Sequence, residues 1–157
     1  MFRIREAVEK DANEACAVLI RSIKEVCAKD YPNEEFVAEW LENKTPENIK
    51  LWINNPETYE VVCVDEDDKV VGFSAVTLSG EILLNYLLPE ALYKNSGKAM
   101  LAALEKRVIQ NGVENIRVAS SITAKMFYER NGFIKNGEPL VIHGITTDFP
   151  LIKRVNT

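Results

Sequence analysis

Apolar residues along this chain change their period several times, and each change marks an element. Residues 3–7 read as a short strand. Over 11–29, Ala15, Val18, Leu19, Ile23, Val26 and Cys27 recur at helical spacing, which predicts one long amphipathic helix. Tyr31-Pro32-Asn33 breaks it, and a helix resumes over 34–42. Thr45 followed by Pro46 is a cap with proline in the first turn, opening a helix that runs to 52–54. Residues 59–64 and 70–78 read as strands joined by the acidic turn 65–69. The near-continuous apolar run 82–88 has the pattern of a strand buried on both faces. A helix over 97–110 stops at Asn111-Gly112, a strand follows over 116–119, and a short helix over 123–130 stops at Asn131-Gly132. Two closing strands, near 133–142 and 146–154, flank a turn at His143-Gly144. No repeat or linker interrupts the sequence, so one domain is expected over 1–157.

Composition narrows the class. With 157 residues and 46% hydrophobic content the chain is long enough for one sizeable core. No apolar run approaches the ~20 residues that cross a bilayer, and residues 1–11 lack the apolar core of a signal peptide. A cytoplasmic protein without membrane partners is the expectation. The three cysteines lack metal spacing. Cys16 and Cys27, on one predicted helix, are separated by about 16 Å of helical rise, too far for a disulfide. Reduced, buried thiols and no metal are therefore expected.

Charge is unevenly placed. Residues 1–90 hold 9 Lys/Arg against 19 Asp/Glu, whereas 91–135 hold 8 basic residues against 3 acidic. The second segment suits an anionic ligand and the first a cationic one. Solvated helix faces would give the same counts. An acidic balance without an aromatic-interleaved basic stripe argues against nucleic acid as a partner.

The segment with most chemical content is Ser120-Ser121-Ile122-Thr123-Ala124-Lys125-Met126-Phe127-Tyr128-Glu129-Arg130-Asn131-Gly132-Phe133. It is a strand end, a Ser/Thr cap and a short helix that brings the phenol of Tyr128 to the crevice beyond the strand. The order Ala124-x-x-Phe127-Tyr128-Glu129-Arg130-x-Gly132-Phe133 resembles the last signature of the GNAT family of acyl-CoA-dependent N-acyltransferases, and a group of small bacterial GNAT proteins in particular. The resemblance extends over nearly the whole chain, from Phe2-Arg3-Ile4-Arg5-Glu6-Ala7 to the hairpin at His143-Gly144-Ile145. It implies an α/β fold of the α+β type, with a mixed, largely antiparallel sheet of about six to seven strands and helices on both faces. A doubly wound mononucleotide-binding domain is disfavoured by the long helical insertion between the first two strands and by the paired closing strands.

The same resemblance implies acetyl-CoA as co-substrate, bound by the loop and helix start after the central strand. A pyrophosphate needs several backbone N–H groups converging at a helix N-terminus. The family usually meets this with Gln/Arg-x-x-Gly-x-Gly/Ala shortly after a Pro-Glu pair. Counting from Pro89-Glu90 places that motif on Leu92, Tyr93, Lys94, Asn95, Ser96 and Gly97, with Lys98 adjacent. Leu92 then stands where Gln or Arg is usual, and Asn95 where the first glycine is. Sliding by two residues gives Lys94-x-x-Gly97-x-Ala99 at the expense of an insertion. The first register keeps the helix face intact, and Asn is the best non-glycine substitute where φ is positive.

Under the resemblance an amine attacks the thioester while the backbone N–H near Leu87 or Leu88 polarises its oxygen, and Tyr128 protonates the leaving thiolate. Ser121 is either a helix cap or a hydrogen-bonding partner of the pantetheine arm. Glu81 is taken as the base, with Glu60 as the other strand carboxylate. His143, at a hairpin turn, suits a surface role. The family's acceptor pocket would be lined from the helical segment bearing Tyr31, Trp40 and Trp52. The acceptor is a primary amine of a small molecule or protein, and a homodimer is common in the family. A drifted, non-catalytic acyl-CoA-binding module is the alternative, which Leu92 and Asn95 favour.

Overall fold

The structure, a computed structural model, describes residues 1–31 and 33–156. Pro32, within the expected helix break, lies outside the described residues. Among the described residues eight strands run in chain order as β1 (Arg3–Glu6), β2 (Thr58–Val64), β3 (Val70–Thr77), β4 (Glu81–Leu87), β5 (Asn115–Ser120), β6 (Ile134–Lys135), β7 (Leu140–Ile142) and β8 (Ile145–Arg154). The α-helices are α1 (Ala12–Ser22), α2 (Glu34–Glu42), α3 (Pro46–Ile53), α4 (Ser96–Gln110) and α5 (Lys125–Arg130). Strand order is β1-β2-β3-β4-β5-β8-β6, with β7 also paired to β8. Every pair is antiparallel except β4–β5. This is the mixed, largely antiparallel sheet that the resemblance implies, with one strand more than expected. The extra strand arises because Gly137, at φ 129, interrupts the run 133–142 and leaves β6 and β7 as separate pieces.

Alternation along each strand divides the core between the two faces. Ala15, Val18, Leu19 and Ile49 of α1 and α3 pack with Val62, Val64 and Phe73 on one face. On the other, Leu101, Leu104 and Val108 of α4 pack with Val61, Ile116, Tyr128 and Phe133. Each such fully buried side chain contributes about 1.5–3 kcal/mol. Gly72 lets α4 approach β3, since a Cβ there would lie 2.9 Å from Met100 Sδ and 2.6 Å from Leu87 Cδ2.

Two departures from the expected elements shape the site. The helix expected over 11–29 is α-helical only to Ser22. A π-turn over Ile23–Cys27 and a 3-10 turn over Ala28–Asp30 follow. A π-turn admits an extra residue and rotates what comes after it, here directing Asp30 and Tyr31 across the molecule to the β5–α5 connection. The second departure is in β4. Ala75 pairs with Leu84 and Val76 with Ile82, so Leu83 is a bulge with no partner on β3. The run 82–88 is therefore not buried on both faces: Leu83 is exposed, and residues 84–87 are half-buried.

Candidate active site

Parallel pairing between β4 and β5 is confined to Glu81–Arg117 and Ile82–Val118. Beyond the Leu83 bulge the strands diverge, and a cleft of about 410 Å³ opens between them. Leu88 N–H donates to Val71 O at 2.8 Å. By antiparallel alternation the N–H groups of Asn85 and Leu87 then turn away from β3 toward the open edge. Of the two amides expected to serve, Leu88 is thus a correction. Its N–H is engaged in the sheet, and only Leu87 is left facing the gap.

Tyr128 lies on α5 with its ring packed edge-on between Phe127 and Phe133. The residue is 2% exposed and its side chain reaches the cleft wall. Asn85 Nδ2 donates to Tyr128 Oη at 3.0 Å, and Ser74 Oγ, fully buried, donates to Asn85 Oδ1 at 2.8 Å. The Ser74 hydroxyl thereby holds the amide with its N–H₂ toward the phenol. Burial pushes the Tyr128 pKa up to about 12, the Asn85 hydrogen bond opposing it. The phenol is accordingly protonated at neutral pH, with its own O–H not engaged by Asn85.

The opposite wall is aromatic. Tyr31 stacks on Phe36 at 5.1 Å between centroids and meets Trp40 edge-on at 5.3 Å. Tyr31 Oη accepts from Ile122 N–H at 2.8 Å and donates to Thr147 O at 3.2 Å, while Thr123 Oγ1 donates to Asp30 at 2.7 Å. These bonds fix the connection that leads into α5. Trp40 Nε1 donates to Tyr86 Oη at 3.1 Å. Tyr31 and Trp40 line the cleft, whereas Trp52 of α3 is half-buried against the core. Ser121 also lines the cleft, and its Oγ accepts from Ala124 N–H at 3.2 Å. The cap bond is present, and the hydroxyl proton remains available to the cleft.

The other expected residues lie as follows. Glu81 belongs to the paired stretch of β4, about 13 Å along the strand from Asn85, and does not line the cleft. Glu60 is buried on β2. His143 is exposed at the β7–β8 turn, where it and Gly144 both have positive φ, as a two-residue type I′ turn requires. The carboxylates that do line the cleft are Glu39 on α2 and Asp148 on β8. Burial pushes the Asp148 pKa up, partly opposed by the Thr147 hydroxyl. Sequence reasoning missed Asn85, although a lone amide within an apolar strand was a visible signal. It also missed Asp148, since nothing local aims that carboxylate at β4.

Beyond β4, a 3-10 turn over Pro89–Ala91 leads to the start of α4. Asn95 is in the left-handed region at φ 64, as the first register demands, and Gly97 is an ordinary helical residue. Tyr93 is also left-handed at φ 61 and 98% exposed. The N–H groups of residues 93–98 have no acceptor among the described residues. Lys94 and Lys98 are exposed beside them, Lys94 Nζ lying 5.8 Å from the Phe2 ring centroid. The Ser96 hydroxyl is buried on the Cys63 side, so the N–H is the Ser96 donor left open beyond the helix start. Leu92 is half-buried and presents no polar group. At Gly97 a Cβ would come within 3.2 Å of Phe127, so its absence brings α4 close to α5. This cradle of free amides at the start of a 15-residue helix fits a pyrophosphate.

A sheet opened by a bulge, with a phenol on one side of the gap and an amide-rich helix start at its end, defines a protein of the acyl-CoA-dependent acetyltransferase class. The acetyltransferase (GNAT) domain model matches residues 27–148, and the chain belongs to that family. No curated protein sequence matches it. Among solved structures it is similar to the PaiA N-acetyltransferase from Thermoplasma acidophilum in complex with coenzyme A, at 24% identity over 98% of this chain and 99% of that one, TM-score 0.84. A GCN5-related N-acetyltransferase from Rhodopseudomonas palustris matches with 21% identity over 97% and 94%, TM-score 0.84. An aminoglycoside 6'-acetyltransferase of type Ii matches with 19% identity over 99% and 98%, TM-score 0.77. At these identities the likeness is one of fold.

Proposed function

We propose that this protein transfers an acetyl group from acetyl-CoA to a primary amine of a small molecule or protein, by direct attack in a ternary complex. Acetyl-CoA, when bound, supplies an activated acyl carbon and a thiol leaving group. The N–H groups of residues 93–98 bind the pyrophosphate, Lys94 and Lys98 add charge, and Ser121 Oγ donates to the pantetheine arm. Leu87 N–H faces the acyl oxygen. The aromatic wall of Tyr31, Phe36 and Trp40 orients the amine and keeps water from it. Asp148, its carboxyl made more basic by burial, takes the ammonium proton in place of Glu81. Tyr128 Oη gives its proton to the departing sulfur, and Asn85 Nδ2 then stabilises the phenolate.

The observation that carries this reading is the Tyr128 phenol, buried at the cleft and held by an amide that donates to it. A buried core tyrosine also takes a hydrogen-bond partner; what singles this one out is that its partner donates, which leaves the phenol's own proton unused beside the cleft. Replacement by phenylalanine keeps the ring packing and removes the proton. Tyr128→Phe is expected to lower kcat by about 10²–10³-fold with acetyl-CoA affinity unchanged. Unchanged kcat with any acetylated amine would refute the acid role, and no acetyl-CoA binding by calorimetry would refute the cofactor.

A further inference from the structure

Three charges line the cleft: Glu39, exposed on α2, and Lys44 and Asp148, each of which has only a neutral partner among the described residues. Lys44, just after α2, donates from Nζ to Asn43 Oδ1 at 2.7 Å. Asp148, on β8, accepts from Thr147 Oγ1 at 3.2 Å. Both are half-buried. Burial pulls the Lys44 pKa down and pushes the Asp148 pKa up, with no opposite charge to offset either change. Cys16, buried in the core, gives no compensation, because its Sγ donates to the Lys44 carbonyl oxygen at 3.2 Å and not to the ammonium. A partly desolvated charge without a counter-ion is a standing penalty that a ligand of opposite sign relieves. The two are not paired with each other, so the cleft is bipolar.

We propose that the acceptor is itself bipolar: an amine that carries a carboxylate or a comparable anionic group, with Lys44 Nζ holding the anion and Asp148 receiving the ammonium. This rests on the acetyltransferase reading given above. A plain diamine could set its second ammonium against the exposed Glu39 but would leave the half-buried Lys44 uncompensated. The cleft of about 410 Å³ accommodates a molecule of amino-acid size. Phe36, Trp40 and Tyr86 give its carbon skeleton an aromatic surface.

The test compares kcat/KM for L-lysine with 1,5-diaminopentane, and for L-phenylalanine with 2-phenylethylamine, since each pair differs only in the carboxylate. The carboxylate-bearing member is expected to be preferred about tenfold or more, the scale of a charge-assisted hydrogen bond. Lys44→Met brings the ratio toward one, Lys44→Arg retains most of it, and Lys44→Glu reverses it. Retention in the arginine variant separates loss of charge from loss of fold. The proposal is overturned if the plain amines react as well or better, or if Lys44→Met leaves the ratio unchanged. Absence of transfer to all four compounds would leave the transferase reading to the acetyl-CoA binding test above and pass this proposal to direct binding. Calorimetric titration of the same four into the wild-type protein then decides. Tighter binding of the carboxylate-bearing member, weakened in Lys44→Met, sustains the bipolar site, and equal or absent binding overturns it.

Discussion

At the scale of single residues the cleft depends on how one amide is oriented. Ser74 donates to Asn85 Oδ1, which leaves Nδ2 to donate to Tyr128 Oη. In that orientation the phenol proton is free, and the hydrogen bond strengthens as negative charge develops on oxygen. The reverse orientation would tie up the proton that the proposed reaction takes from Tyr128. Under that proposal Asn85 is a positioning residue that acts through Tyr128. Asn85→Ala is expected to lower kcat about tenfold with little change in KM for acetyl-CoA. An acetyl ester of an aryl thiol, whose leaving group is stable without a proton, separates positioning from structural damage. Its turnover should fall less than twofold in Asn85→Ala and in Tyr128→Phe. Equal loss with both acyl donors would mean that Asn85 supports packing alone.

At the scale of elements, the sequence showed most of the architecture and little of what opens it. Helix starts were legible because caps are local: Asn33 accepts from Phe36 N–H and Thr45 from Asn48 N–H, as their residue types announce. The Leu83 bulge was not legible, because an extra residue on one strand is defined only by its partner on β3. The π-turn after Ser22 was hidden for a similar reason, since the apolar period 15–27 reads the same with or without it. Tyr31 and Trp40 were singled out through the resemblance, whereas Asp148, 20 residues beyond Tyr128, comes to line the same cleft through the β5–β8 pairing. The loop before α4 lies between these cases: Asn95 was legible as a glycine substitute, and its φ of 64 bears that out. A branched residue there is strained by about 1–2 kcal/mol and tilts the first amides of α4. Asn95→Val is thus expected to lower Tm by a few degrees and weaken acetyl-CoA binding at least fivefold, whereas Asn95→Gly leaves both near wild type. Equal binding by the valine variant would separate this loop from the pyrophosphate.

The molecule as a whole carries its acidic excess unequally, and part of it is built into the sheet. Glu60 is 4% exposed on β2, and its Oε2 has no hydrogen-bond partner among the described residues. Burial raises its pKa from 4.5 to about 7, the Thr58 hydroxyl opposing the rise and Glu6 adding to it. Below about pH 4.5 the group is protonated in the folded and the unfolded chain alike, and its contribution to stability is fully present. As pH rises toward 7 the unfolded chain releases the proton while the folded one retains it, so stability falls across that window. Above pH 7 a charge lies buried and the loss is complete. The pair formed by Asp11 and Arg5 acts in the opposite sense. Burial of Asp11 is outweighed by the Arg5 guanidinium and the Val8 N–H, which hold its pKa low, so its contribution is lost only in acid. Glu60→Gln keeps the shape and removes the titration. The substitution is expected to raise stability by about 2 kcal/mol at pH 8, or Tm by about 5 °C, with no gain at pH 4. Thermal unfolding of the two proteins at pH 4, 6 and 8 measures the difference directly, and a gain that does not change with pH would assign it to packing rather than to the buried charge.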